Sequence, residues 1–139
     1  MARVGNEQGS PGNTSSSILQ SKIVEGTRTA VAGSGVQSIT GAGFAPKAAV
    51  FLAGKNAAAA ATGSVGFVDS SNGGVMLIFQ LTGVIQSVNL STGSPVFAEA
   101  VLNTDYMQCA VAFTSDGADL TWTKTGNGID IEFSIMFLR

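Results

Sequence analysis

Apolar and polar residues alternate most clearly over the last third of the chain. Ile129, Ile131, Phe133, Ile135 and Phe137 occupy every second position. Alternate side chains of a strand share a face, so these five form one apolar stripe. Cys109, Val111 and Phe113 make a second stripe, and Leu120 with Trp122 a third. Asp116-Gly117 separates the second stripe from the third, and Asn127-Gly128 separates the third from the long one. Both dipeptides tolerate the positive φ angles of type I′ turns. The pattern predicts a three-stranded antiparallel meander over residues 107–139 with one apolar face. Burying each large side chain yields roughly 1.5–3 kcal/mol, while fixing the backbone costs about 1–2 kcal/mol per residue. For one strand the two nearly cancel, so a second sheet must cover the stripe. On the other face of the last strand Asp130 and Glu132 are polar, but Met136 and Leu138 are not. The end of this strand is therefore expected to be covered on both sides, the outer cover being another subunit.

Upstream, the same reading predicts short strands at regular spacing. Lys22 to Val31 alternates loosely as a first strand, and Val36–Thr40 follows the Gly33-Ser34-Gly35 break. Ala48–Ala53 is an apolar run without alternation, the pattern of a strand covered on both faces. Val65–Val68, Val75–Leu81, Val84–Leu90 and Val96–Leu102 complete the set. Ala57–Ala61, five consecutive alanines, reads as a loop packed closely against a neighbour, with one helical turn as the alternative. About nine strands with turn residues between them predict an all-β fold, an antiparallel, jelly-roll-like β-sandwich occupying residues 22–139. Residues 1–21 are expected to form an extended N-terminal arm. Gly, Ser, Asn and Pro dominate that segment through Ser17, and such a composition buries too little to order itself. Ser17 and Gln20 have capping-box spacing, which allows a turn of helix around Ile18–Ile23. Another chain is the expected anchor for the arm.

Composition sharpens this picture. The 139 residues fit one domain with a real core. Only 12% are charged while 45% are apolar, against about 25% charged in ordinary soluble domains. So little charge suits a protein that lives packed against neighbours. A net charge of −2, with seven Lys and Arg scattered along the chain, predicts no nucleic-acid binding. No apolar run approaches the ~18 residues of a membrane span, and the N-terminus lacks a secretory pattern. The sequons at Asn13 and Asn89 carry little meaning without such a route.

Candidate chemistry is sparse. The chain has no histidine, which removes the usual nucleophilic triads and most zinc sites. Cys109 is single and lies within an apolar stripe, so it reads as core. No Gly-Lys-Ser/Thr follows Gly33–Gly35 or Gly41–Gly43, and the glycines read as turns rather than a phosphate loop. Asp130 with Glu132, Asp116 with Asp119, and Asp69 with Asn72 are read as solvated faces and turns in preference to acid–base or calcium sites. Trp122 is read as core in preference to a sugar-stacking platform. No catalytic residue, metal or cofactor is expected.

Two stretches resemble a known group. Thr40-Gly41-Ala42-Gly43-Phe44-Ala45-Pro46-Lys47-Ala48-Ala49-Val50-Phe51 resembles a GxGFxPKAVxF segment of small Gly-rich β-domain virion proteins of tailed bacteriophages and prophages. Phe113-Thr114-Ser115-Asp116-Gly117 through Leu120-Thr121-Trp122 resembles that group's FxxDGFxLxW hairpin, with Ala118 in place of the usual aromatic. Pro46 fixes its own φ and pushes Ala45 towards an extended conformation, which suits the start of a strand. Phe44 is expected to plug the end of the sandwich. The resemblance implies a capsid decoration (cement) protein, trimeric, made in the host cytoplasm and placed on the capsid exterior. Its partners would be the major capsid protein and copies of itself. Contacts are expected from the arm at Val4, Asn6, Pro11, Asn13, Ile18 and Leu19, and from Met136 and Leu138. The alternative is a receptor-binding or fibre module for a host glycan, with Tyr106 and Phe97 as the aromatics to carry it.

Overall fold

The computed structural model describes residues 19–55, 62–71, 74–80, 85–89, 96–101 and 105–139. Residues 1–18 of the expected 1–21 arm and the Ala57–Ala61 run lie outside them, while Ser21, placed in the arm, is the first residue of β1. Ten strands run β1 Ser21–Arg28, β2 Gly35–Thr40, β3 Ala48–Gly54, β4 Thr62–Asp69, β5 Gly74–Gln80, β6 Ile85–Asn89, β7 Val96–Val101, β8 Asp105–Thr114, β9 Gly117–Thr125 and β10 Ile131–Leu138. They form two antiparallel sheets packed face to face, a six-stranded one in the order β1-β10-β3-β4-β5-β6 and a four-stranded one in the order β2-β9-β8-β7. The fold is thus an all-β sandwich. Its outermost pairs are nested, β1 with β10 in one sheet and β2 with β9 in the other, as in a jelly roll. The β3–β6 stretch departs from that pattern by running as a meander within one sheet.

The core is built from the stripes seen in the sequence. Ile131, Phe133, Ile135 and Phe137 of β10 and Ala49, Phe51 and Ala53 of β3 face Met107, Cys109 and Val111 of β8 and Leu120 and Trp122 of β9. The Trp122 and Phe133 rings meet across the sandwich at 5.8 Å between centroids, tilted by 43°. Trp122 and Cys109 are core residues, as expected.

Several expectations are corrected. β8 and β9 form the predicted hairpin, with its turn one residue earlier at Ser115-Asp116 and Gly117 already paired with Thr114, but β10 does not continue that meander. It crosses to the other sheet, between β1 and β3. Gly126 and Gly128 both have positive φ, 62° and 67°, and Ile129 and Asp130 add the length needed to cross the end of the sandwich. The physical reason is cover: one sheet holding all three stripes would need a further layer, whereas two sheets let the stripes of β9 and β10 bury each other.

The first strand ends at Arg28 rather than Val31. Thr29 caps a short 3₁₀ turn, Ala30–Ala32, by accepting from the Ala32 N–H at 3.3 Å. The helical turn allowed around Ile18–Ile23 is absent from its described part, because Ser21, Lys22 and Ile23 pair with Leu138, Phe137 and Met136. Pairing begins even earlier: Gln20 and Arg139 exchange backbone hydrogen bonds of 3.3 and 3.0 Å. Among the described residues β3 is covered on one face only. It alternates, with Ala49, Phe51 and Ala53 buried and Leu52 57% exposed.

Candidate functional site

Two places stand out: a bonded junction at one end of the sandwich, and the outer face of the six-stranded sheet. The junction joins the β2–β3 connection to the β8–β9 turn. Gly41 and Gly43 both adopt positive φ, 96° and 77°, which turns their N–H groups inward as a small anion cradle. The Asp116 carboxylate fills it, accepting from the Gly41 N–H at 3.0 Å and the Gly43 N–H at 2.6 Å. The Asp116 carbonyl accepts from the Ala42 N–H at 3.0 Å. The two amides favour the charged carboxylate and hold it below the usual aspartate range. Ala42 and Pro46 are buried beside this junction, and Phe44 packs against the core as expected of a plug.

The other carboxylates read as solvated lie at the surface, and three of them also accept hydrogen bonds. Asp119 accepts from the Ser38 hydroxyl at 2.6 Å and Asp130 from the Ala30 N–H at 2.7 Å. Asp69 accepts from the Ser71 N–H and hydroxyl at 2.9 and 2.7 Å, while Asn72 lies outside the described residues. All three tie backbone segments together. Among the described residues no group of three or more His, Cys, Asp or Glu side chains could hold a metal ion. Cys109 is fully buried, and its desolvation raises the thiol's pKa far above the ordinary range.

The outer face of the six-stranded sheet is organised in rows across β1, β10, β3 and β4. Strand register aligns Ile23, Met136, Val50 and Phe67 in one row. The next row towards one end is Glu25, Ser134, Leu52 and Val65, followed by Thr27, Glu132, Gly54 and Gly63. Towards the other end the row is Ser21, Leu138, Ala48 and Asp69. Ile23 is 62% exposed, Phe67 42% and Met136 36%, although all are large and apolar. A shallow dish of about 750 Å³ opens at the polar end, lined by Glu25, Thr27, Leu52, Lys55, Glu132 and Ser134 among others. Apolar side chains thus hold the middle of this face and polar ones its ends. Protein–protein contacts share this division into an apolar centre and polar edges.

Of the expected contact residues, Met136 and Leu138 both lie on this outer face, Leu138 half-buried. Leu19 is 70% exposed just ahead of β1. Val4, Asn6, Pro11, Asn13 and Ile18 lie outside the described residues. Tyr106 is half-buried on β8, and Phe97 falls on β7. Sequence reasoning missed Ile23, Leu52 and Phe67. The signal that finds them is register, because only the pairing of β1, β10, β3 and β4 brings them beside Met136. Compared with protein-family models, curated proteins and solved structures, the chain matches none.

Proposed function

We propose that this chain is a structural protein of a tailed-bacteriophage virion, a decoration protein that binds the capsid exterior and bridges neighbouring capsid subunits. The observation that carries this reading is the junction at Asp116. The two stretches that resemble phage virion β-domains are far apart in the chain, yet Asp116 of one is hydrogen-bonded to Gly41 and Gly43 of the other, 75 and 73 positions away. Motifs that fold into one unit are constrained together, and a shared scaffold is what the resemblance implies.

The action of such a protein is mechanical. Its own subunits and the major capsid protein are its partners, and several modest contacts made at once multiply into tight retention. A chain with 12% charged residues gives up the solubility of a charged surface and suits permanent neighbours. The polar leader supplies the reach. Eighteen extended residues span at most about 60 Å, enough for Val4, Asn6, Pro11 and Asn13 to lie across a seam between capsid subunits.

The test is a binding assay on shells of the encoding phage prepared without this protein. The full chain is expected to co-sediment with them and to raise the temperature at which they open. Deletion of residues 2–17 is expected to weaken that binding while leaving the sandwich folded. Failure of the intact chain to bind any such shell overturns the proposal.

A further inference from the structure

The six-stranded sheet has an apolar inner face, covered by the four-stranded sheet, and an outer face with apolar rows at its centre. The inner face carries Phe51, Ile131, Ile135 and Phe137, all buried. The outer face carries the Ile23–Met136–Val50–Phe67 row and, beside it, Leu52 and Val65. Register extends these rows through apolar positions of β5 and β6. Val75 lies opposite Phe67, Leu77 opposite Val65, and Val88 opposite Leu77. Strands with apolar residues on both sides are those buried between two layers. Among the described residues no second layer covers this face.

We infer that the outer face of this sheet stacks against the same face of a second copy of the chain. Area argues for it first. Six strands spaced ~4.8 Å, each about seven residues long at ~3.3 Å per residue, span on the order of 700 Å². A stable interface takes about 800 Å² from each partner, so the face is of the size that one identical sheet would cover. Shape argues the same way. A sheet face carries its twist with it, and two such faces stack about 10 Å apart with their strands roughly aligned. A two-fold axis brings apolar row against apolar row and leaves both sets of polar ends at the rim.

The chain's own leader is the wrong occupant. Within residues 1–18 only Met1, Ala2, Val4 and Ile18 are apolar, too few to cover a face of this extent. The rim adds a signature. Glu25, Glu132 and Asp69 flank the apolar rows, so each copy brings acidic groups to the contact. Added salt screens their repulsion, and self-association should tighten with ionic strength.

This inference stands apart from the virion reading and is tested without a shell. Sedimentation equilibrium of the full chain at micromolar concentration is expected to give twice the monomer mass of 14.0 kDa, more completely at higher salt. Leu52→Glu and Met136→Glu each place a charge in the centre of the stack and are expected to return the mass to that of one chain. Both positions are exposed in the single chain, and circular dichroism checks that each variant stays folded. Val31→Glu is the control, at a 96% exposed site off this face, and should remain dimeric. A monomeric wild type, or a trimer that both substitutions leave intact, overturns the inference. A monomer that still binds phage shells would overturn it while leaving the proposed function standing.

Discussion

Trp122 offers the sharpest test of how the two sheets are held together. Its ring is 1% exposed, so its indole N–H has no route to water. That N–H donates to Gln37 Oε1 at 3.0 Å, and Gln37 Nε2 donates to the Thr27 carbonyl at 3.0 Å. The amide therefore links β9 and β2 of one sheet to β1 of the other. Gln37→Leu removes the acceptor while keeping most of the volume. A buried N–H left unpaired costs about 1–3 kcal/mol, whereas the exposed Thr27 carbonyl finds water instead. The expected melting shift is roughly 4–12 °C downward, scaling from about 4 °C per kcal/mol for a chain of this size. Trp122→Phe alone loses packing and strands the Gln37 oxygen. Combined, Gln37→Leu and Trp122→Phe leave no polar group without a partner, so the double variant should be less destabilised than the sum by at least ~1 kcal/mol. The assay is urea unfolding at one fixed protein concentration, followed by circular dichroism because Trp122 is the sole tryptophan. Additivity to within ~0.5 kcal/mol would refute the coupling and the relay with it.

Three further predictions rest on the junction and the core. Asp116→Asn should lower the melting temperature at neutral pH, with the gap from wild type closing on acidification. The folded carboxyl is depressed relative to the unfolded one, so its contribution is complete above the unfolded pKa of about 3.9 and fades as pH falls through the lower folded value. Melting curves of both proteins at neutral pH and near pH 3 decide it, and an unchanged gap would contradict the cradle. Gly117→Ala should be far more damaging, on the order of 4 kcal/mol or more. Its φ is +155° and an added Cβ would be driven into the Ile39 carbonyl; a urea midpoint near wild type refutes the close approach. Cys109 should resist an aromatic disulfide reagent in the folded protein and react fully in urea, because burial disfavours its thiolate. Fast labelling under native conditions would show that β8 does not pack as described.

The sequence was most legible where structure is local. The stripes of β8, β9 and β10 follow from alternation alone, since any strand places alternate residues on one face, whichever sheet it joins. The β8–β9 hairpin was equally plain, although its two-residue turn is Ser115-Asp116, one position before the Asp116-Gly117 that the dipeptide suggests. The partner of β10 was not legible. Asn127-Gly128 is as good a signal for leaving a sheet as for turning within one, and what decides is the cover that the stripes of β9 and β10 give each other. The capping-box spacing of Ser17 and Gln20 failed in its described part for a related reason: one local hydrogen bond does not compete with a ladder running from Ser21 to Arg28 along β10. Asp116 looked like a solvated turn residue because its partners, Gly41 and Gly43, are 75 and 73 positions away. The two resembling stretches held the clue, and only the fold supplied the contact between them.

Leu52 shows why an apolar run without alternation can belong to a strand that alternates in the folded chain. Ala48–Ala53 reads as a strand with two covered faces, yet in the single chain Leu52 is mostly exposed. Both statements hold if folding covers one face and association the other. The side chains divide accordingly. The inner face of the six-stranded sheet takes the Phe51, Phe133 and Phe137 rings, whose burial contributes at the upper end of about 1.5–3 kcal/mol each. The outer face breaks its apolar rows with Ser21, Glu25, Thr27, Glu132 and Ser134. Those polar breaks keep a newly folded chain soluble, and the apolar centre still rewards contact. A face graded in this way is what the inferred stacking requires: a chain that folds alone and is completed by a second copy.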